Sequence, residues 1–490
     1  MKHPFGLIPS LLASGLVAVA LSGCAQNPAT GGTTFTGGLS QAQEIQIGQK
    51  NHAKIIKEFG GEYGTRALKR YVNGIGQLLA KTSERPELKF TFTLLNSNVV
   101  NAFATPGGYV YITRGLMALA DNEAQIASVL AHEIGHITAL HHAQRHGQSL
   151  LANIGLAAAG ILGGRHAAEI GQLGAVTLLQ GFSRDNEYEA DGLGMRYLTR
   201  VGFDPASMAD FLAKLRANSR LNAMLRGESA DKVDQFNYLA THPAPVARVK
   251  RALALARQTN VKNPVTARGV YLSKLDGLLY GSDSKEGFIR GRDFLHPKLR
   301  FAYSVPEGFR LMNSKKAVYA FGPNKSRIIL DRASKPAGGS MEYYLSRVWG
   351  AKMRLRDLET IRVNGLEAAT ATTQIRTSSG IFDARLTAFK FNTQTIYRMI
   401  FLTAKADTNR LANGLRRTTY SFRKIDAAEA IRLRPLVLRI ITVQRGDTVE
   451  SLAHRMPYGD YRLKRFEILN GISRKDQLRP GQKLKIVSTN

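Results

Sequence analysis

Asp121-Asn-Glu-Ala-Gln-Ile-Ala-Ser-Val-Leu-Ala-His132-Glu133-Ile-Gly-His136-Ile-Thr-Ala139 is the stretch from which the rest of this 490-residue chain is read. Helix formers dominate it. Asp121 is the expected N-cap, with Glu123 in the first turn, where a carboxylate suits the helix dipole. On such a helix His132 and His136 stand one turn apart and face the same way. Two imidazoles so placed can grip one metal ion. Glu133 projects beside them, positioned to take a proton from a water on that metal.

This is the HExxH arrangement of zinc hydrolases, so a third ligand is expected. His142 lies where the metzincin pattern HExxHxxGxxH puts its third histidine. That pattern needs a glycine where this chain has Ala139, the best helix former, so the helix is expected to continue and turn His142 to another face. His141, His142 and His146 are accordingly read as solvated helix histidines. Glu187, in Ser183-Arg-Asp-Asn-Glu187-Tyr-Glu-Ala-Asp191, is the better candidate, on a second helix. Asp191 falls one turn further on the same face, suited to hold a ligand histidine from behind.

The chain also carries Asn101-Ala-Phe-Ala, Gly107-Gly-Tyr-Val-Tyr-Ile, and Thr241-His242-Pro243 followed by Arg248. Taken in order, these motifs resemble the gluzincin metallopeptidases of the CAAX prenyl endopeptidase type, nearest their periplasmic, BepA-like branch. The resemblance covers roughly residues 40–255. It implies His132, His136 and Glu187 as zinc ligands, one Zn2+ per chain, and Glu133 as general base. It implies that His242 can fill the fourth zinc position and hold the enzyme latent, and that Arg248 lies near the substrate oxyanion. Unfolded or stalled outer-membrane proteins are the implied substrates. In zincins an edge strand beside the metal helix pairs with extended substrate, and residues 109–113, with Tyr109, Val110 and Tyr111, are the candidate.

The start of the chain has a different character. Met1-Lys-His is positive, Leu7 to Leu21 is apolar, and Leu21-Ser-Gly-Cys24 follows, which reads as a secretory signal over residues 1–24. Its end resembles a bacterial lipobox, implying lipidation of Cys24 and an outer-membrane anchor. Cys24 is the only cysteine, so no disulfide forms within the chain. Residues 25–39, rich in Gly, Thr, Asn and Pro, read as a flexible tether. The peptidase domain, 40–256, is expected to be mainly helical with a small sheet. Ser40 caps a helix to about Phe59, a second runs from Thr65 to Lys81, and a strand from Lys89 has Gly108–Thr113 as its hairpin partner. Residues 149–181 are apolar and rich in small residues. Their uninterrupted core, Ile154–Leu162, is far short of the ~20 residues of a membrane span, so a helical pair packing over or lining the cleft is expected, its glycines permitting movement as in a lid.

The formal net charge is +31, from 68 Lys and Arg against 37 Asp and Glu. The basic residues are dispersed. An exported chain of this charge meets anionic lipid head groups, lipopolysaccharide and the cell wall, and nucleic acid is excluded as its partner.

Residues 257–295 read as a connector of little structure. From 296 to 425, Leu299-Arg-Phe-Ala-Tyr, Ala317-Val-Tyr-Ala-Phe, Arg327-Ile-Ile-Leu, Ala384-Arg-Leu-Thr-Ala-Phe and Gln394-Thr-Ile-Tyr-Arg-Met alternate as strands, with helices near 341–352 and 406–416. This α+β domain has no catalytic constellation, and its outline resembles the PsbP-like sandwiches. Scaffolding or partner binding is its expected part. At 438–488, Ile440-Ile-Thr-Val-Gln-Arg-Gly446-Asp447-Thr448, Phe466-Glu-Ile-Leu-Asn470 and Pro480-Gly481-Gln resemble a LysM domain, βααβ, which binds glycans such as peptidoglycan. Gly446, Asp447, Thr448 and Asn470 are its expected glycan-binding residues.

The fold class is therefore α+β multidomain: a mainly helical zincin-type metallopeptidase domain, an α+β sandwich-like domain and a βααβ LysM-like module. The expected function is that of a lipid-anchored periplasmic zinc metalloendopeptidase. Two rivals remain: a peptidoglycan-directed amidase or peptidase, which would cleave muropeptides, and a latent zinc-binding chaperone or adaptor, which would hold zinc without turnover.

Overall fold

The computed structural model describes residues 23–158, 181–231, 242, 245–314, 316–334, 338–377 and 380–489. Most of the expected signal segment, most of the expected lid, and Thr241 and Pro243 lie outside the described residues. Among the described residues no helix is long and apolar enough to cross a membrane.

Strands β1 (Cys24–Gln26) and β2 (Thr33–Phe35) pair antiparallel. The expected free tether is thus a hairpin, and it is fastened down. Ala29 is buried, and Asn27 Nδ2 donates to Glu189 Oε1 at 3.0 Å. Helix α1 (Gln41–Glu58) starts at a capping box between Ser40 and Gln43, and α2 (Arg66–Ala80) is capped by Thr65. Both match the capping chemistry in the sequence.

Strands β3 (Thr91–Leu95), β4 (Ala102–Thr105) and β5 (Tyr109–Thr113) form a sheet in the order β3-β5-β4. The hairpin is β4–β5, turned by Gly107 and Gly108 at φ +80° and +90°, whereas β3 runs parallel to β5. This corrects the expected β3–β5 hairpin. It also corrects the substrate strand, because β5 is central and already paired on both sides. Tyr111 is fully buried, its hydroxyl 2.8 Å from His52 Nδ1. The edge nearest the metal helix is β4.

Helices α3 (Arg114–Leu119), α4 (Glu123–Thr138), α5 (His141–Ala158), α6 (Arg184–Arg200), α7 (Ala206–Leu225) and α8 (Pro245–Gln258) complete this body. Helix α4 is the quoted stretch and is buried almost all round, as its apolar residues on every face require. Its N-cap is Asn122, not Asp121. It ends at Thr138, not beyond: Leu140 turns to φ +58° and α5 starts afresh at His141. Helices α4 and α6 meet through glycines. A Cβ on Gly135 would stand 3.0 Å from Ala190 O, and one on Gly194 would stand 3.0 Å from His132 N. That close approach brings α6 side chains onto the histidines of α4.

The expected connector carries α9 (Arg268–Leu275) and β6 (Leu279–Tyr280). The accessory domain then follows. A four-stranded sheet is built from β7 (Phe288–Arg290), β8 (Asp293–His296), β9 (Phe301–Ser304) and the later β17 (Arg423–Lys424). A seven-stranded antiparallel sheet has the order β10-β11-β12-β16-β15-β14-β13, for β10 (Arg310–Asn313), β11 (Ala317–Phe321), β12 (Arg327–Arg332), β13 (Arg356–Val363), β14 (Leu366–Thr377), β15 (Gly380–Asn392) and β16 (Thr395–Thr403). A helical segment, α10 (Met341–Tyr343) continued by a wider turn to Trp349, packs on one face. Helix α11 (Thr408–Ser421) packs on the other, and a short helix α12 (Ala427–Arg432) follows β17.

The last module is β18 (Leu436–Thr442), α13 (Val449–His454), α14 (Arg462–Asn470) and β19 (Lys483–Ser488). It is not a separate bead. Strand β18 pairs with β19 on one side and with β6 on the other, Leu436 opposite Tyr280 and Val437 opposite Leu279. Leu130 and Ile134 of α4 share one continuous core with Phe466, Leu469 and Ile486. At the seam Lys485 is fully buried. Its Nζ donates to the carbonyls of Ala118, Leu119 and Ala120 at 3.1, 3.0 and 2.6 Å, and lies 3.1 Å from Asp121 Oδ1. Lys214 Nζ of α7 meets Asp121 Oδ2 at 2.5 Å and donates to Leu469 O at 3.1 Å. Burial and the neighbouring Lys214 charge pull the Lys485 ammonium well below its ordinary range, and Asp121 opposes them.

Candidate metal centre

Two turns of α4, one of α6 and His242, three residues ahead of α8, converge. His132 Nε2 and His136 Nε2 are 3.0 Å apart, and His132 Nε2 is 3.3 Å from His242 Nδ1. Glu187 supplies Oε1 at 2.9 Å from His242 Nδ1 and 3.5 Å from His136 Nε2, and Oε2 at 3.5 Å from His132 Nε2. One donor atom from each of the four residues fits within 4.8 Å of the others. A tetrahedral ion bound at ~2.0–2.1 Å has donor–donor edges of about 3.3 Å, so this cluster has the size of a metal shell. Three nitrogens and one carboxylate oxygen are donors suited to a borderline ion.

The electrostatics call for a positive charge at the centre. Burial would raise the Glu187 carboxyl, but the His242 and Arg248 charges hold it well below the usual carboxylate range. Burial pushes the His136 imidazole well below its ordinary value, into the neutral form that binds metal. Burial acts the same way on His242, yet the Glu187 and Glu133 carboxylates carry it up to about 10. A proton on His242 or a cation among the donors answers the same field.

Glu133 is buried beside this shell and outside it. Its Oε1 lies 3.2 Å from His242 Nε2, but off the angle of a hydrogen bond. Glu133 Oε2 and His242 Nε2 are both buried without a hydrogen-bond partner. Two such orphans facing one space are the mark of a site made for a further polar group.

A second layer orients the first. Asp191 Oδ1 is 2.9 Å from His132 Nδ1. Arg248 clamps Asp191 with Nε at 2.8 Å and Nη2 at 2.7 Å, and its Nη1 is 2.6 Å from Glu187 Oε2. The Arg248 charge outweighs burial and holds Asp191 down to about 2. With its fork engaged on two carboxylates, Arg248 braces Asp191 and Glu187 while lining the same cleft as Glu133.

His141 and His142 are buried rather than solvated. His141 Nδ1 is 2.8 Å from His136 Nδ1, and His141 Nε2 is 3.1 Å from Glu189 Oε2. The hairpin residue Asn27 holds the other Glu189 oxygen. Phe182 stacks on His136 at 4.0 Å and 18°. His141, Glu189, Asn27 and Phe182 were not anticipated. The only signal for Glu189 was its place two residues after Glu187. His142 stays outside the shell.

Beyond the histidines the cleft becomes apolar. Its walls include Ala102 of β4, Leu116 of α3, Val129 of α4, and Met208, Phe211 and Leu215 of α7.

In the last module, Asn470 faces inward. It donates to Phe466 O and Lys485 O and accepts from Lys485 N, so it ties α14 to β19 instead of meeting glycan. Thr448 caps α13, and Asp447 Oδ2 accepts from Gln444 N. Gly446 is exposed.

Comparison with known proteins adds two family matches. Residues 66–256 match the family described as Peptidase family M48, and residues 441–487 match the LysM domain. The Beta-barrel assembly-enhancing protease of Escherichia coli (strain K12) is 32% identical over 281 residues, 55% of this chain and 55% of that protein. The chain thus spans about half the length of that relative. Metalloprotease LoiP of Escherichia coli (strain K12) is 31% identical over 226 residues, 42% of this chain and 85% of that protein. The Mitochondrial metalloendopeptidase OMA1 of Schizosaccharomyces pombe is 27% identical over 215 residues, 42% of this chain and 60% of that protein. The solution structure of cyanobacterial PsbP from Synechocystis sp. PCC 6803 aligns with 29% of this chain and 98% of its own, at 12% identity and TM-score 0.23, too low to carry an argument about fold.

Proposed function

The chain belongs to peptidase family M48, and from that premise we propose that it is a zinc-dependent endopeptidase. In this reading His132, His136 and Glu187 hold one zinc ion per chain, and Glu133 is the general base. The observation that carries it is the four-donor cluster of metal-shell size with the orphaned Glu133 Oε2 beside it. Zinc, when bound, supplies Lewis acidity to the substrate carbonyl and lowers the pKa of a water to near ~7.

The chain's own residues do the rest. Glu133 takes the proton of the attacking water and returns it to the leaving amine. Asp191 accepts from His132 Nδ1–H, fixing the tautomer that leaves Nε2 free for metal. Arg248 fixes Asp191 and Glu187. Extended substrate pairs along β4, its side chains entering the apolar cleft. Relatives named for β-barrel assembly support unfolded or stalled outer-membrane proteins as substrates. The wider reading is a periplasmic chain with a peptidase domain at 40–256 and a LysM domain at 438–488. Cys24 carries a lipid anchor to the outer membrane, and the LysM surface around Gly446, Asp447 and Thr448 meets peptidoglycan.

His242 is proposed as an inhibitory fourth ligand, because its Nδ1 stands within reach of His132 and Glu187 at once. The test is metal analysis beside casein cleavage. One zinc per chain, cleavage abolished by a chelator and restored by zinc, is the expected result. His242→Ala is expected to raise cleavage about tenfold, the gain from releasing a closed form favoured by about 1.4 kcal/mol. Cleavage lowered by that substitution would remove the latch. Zinc without cleavage in any form would remove the peptidase.

A further inference from the structure

In the accessory domain the sheet outruns its cover. Strands β14 and β15 are 12 and 13 residues long. Leu411 and Leu415 of α11 pack with Phe389, Tyr397 and Met399 over one end of that face. Toward the other end the same face is open, and there it forms a wide groove. Thr372, Arg385 and Phe401 lie in one cross-strand row on its floor, Arg385 being opposite both of the others.

Three separate elements direct cations into this groove. Lys352, Arg354 and Arg356 come from the segment that enters β13, Arg385 from β15, and Arg416 from α11. Among the described residues these five side chains make no ion pair; Arg385 Nη1 donates to Thr370 Oγ1 at 3.3 Å. Asp357, Glu359 and Asp383 also line the groove, five cations against three carboxylates. Two of those carboxylates are held by neutral donors. Asp383 accepts from Gln374 Nε2 at 3.0 Å and Thr408 Oγ1 at 2.8 Å, and Asp357 from Thr372 Oγ1 at 2.6 Å. The arginines are therefore left unpaired in a concavity, where their fields add. Beside them the lining mixes Thr370, Thr372 and Thr419 with the apolar Ile361, Phe401, Ala412 and Leu415, and Met353 and Tyr420 stand at 37% and 43% exposure.

We propose that this groove binds an anionic amphiphile: a phosphate or carboxylate head group held by the arginines, and an apolar chain laid between the open sheet and α11. Fork-shaped guanidinium groups match such head groups in charge and geometry. The apolar side of the lining distinguishes the site from one for a bare anion. The site stands on its own residues and does not depend on the metal centre.

Isothermal titration of the full chain with monododecyl phosphate, below its critical micelle concentration, tests this. Dodecyl maltoside supplies the same tail without charge, and inorganic phosphate supplies the charge without the tail. One monododecyl phosphate per chain is expected, with weaker binding of both controls. Arg385→Gln with Arg416→Gln removes two charge-assisted contacts and is expected to raise Kd about tenfold or more. Ala412→Phe narrows the groove from an exposed helix position and is expected to weaken binding without changing the charge. An unchanged melting temperature shows that each variant folds. Equal Kd values for the wild type and the double variant overturn the proposal. So does dodecyl maltoside binding as tightly as the phosphate. Inorganic phosphate binding as tightly as the amphiphile overturns it in favour of a bare anion site.

Discussion

A Glu133→Gln chain is expected to keep its metal and to lose casein cleavage by a factor of about 10²–10⁴, the contribution of a positioned general base. The geometry separates the two properties. Glu133 follows ligand His132 on α4, yet it is not among the four residues of the donor cluster. The amide is nearly isosteric with the carboxylate, so α4 and the histidines it carries stay in place. What is lost is the basic oxygen. Among the described residues Glu133 Oε2 is buried with no hydrogen-bond partner, so no neighbour is hydrogen-bonded there to relay the proton in its place. Equal zinc content with turnover retained above about a tenth would place the base elsewhere.

Lys485→Ala is expected to cost about 3–5 kcal/mol of stability, as removing one partner of a buried ion pair does. The substitution removes the ion-pair partner of Asp121 Oδ1 and the donor to the carbonyls of Ala118, Leu119 and Ala120 at once. Water cannot readily replace it, because Lys485 is fully buried. Lys214 remains on Asp121 Oδ2, so the start of α4 loosens without losing every tie. Urea unfolding followed by far-ultraviolet circular dichroism measures the change. Tryptophan emission does not suit, since the single Trp349 lies in the accessory domain. An unchanged midpoint would mean that the last module folds as an independent attachment.

The heart of the site was legible because it is local. His132, Glu133 and His136 follow from helix periodicity, and Asp191 follows Glu187 by one turn. What joins distant segments was not. Ala139 favours helix, so nothing local announced that Leu140 turns to φ +58° and folds His141 back onto His136. Alternation of side chains shows that 109–113 is a strand, but it reports faces and not neighbours. The parallel partner β3, which makes β5 central, was therefore hidden. Residues 25–39 have the composition of a tether, and only tertiary contacts through Asn27 and Ala29 hold them as a hairpin. Asn470 reads equally well as a ligand or a lock until its partners are seen.

Strands β6 and β18 lie side by side, with Tyr280 opposite Leu436, so the chain leaves the body and re-enters it at nearly one point, about 4.5–5.5 Å across. Residues 281–435 are therefore a guest sewn into a host chain, with both seams on one short ladder. A guest attached in this way can be lost, lengthened or exchanged over evolutionary time, while the host keeps its strands in register. The metal helix and the last module, far apart along the sequence, belong to the same host.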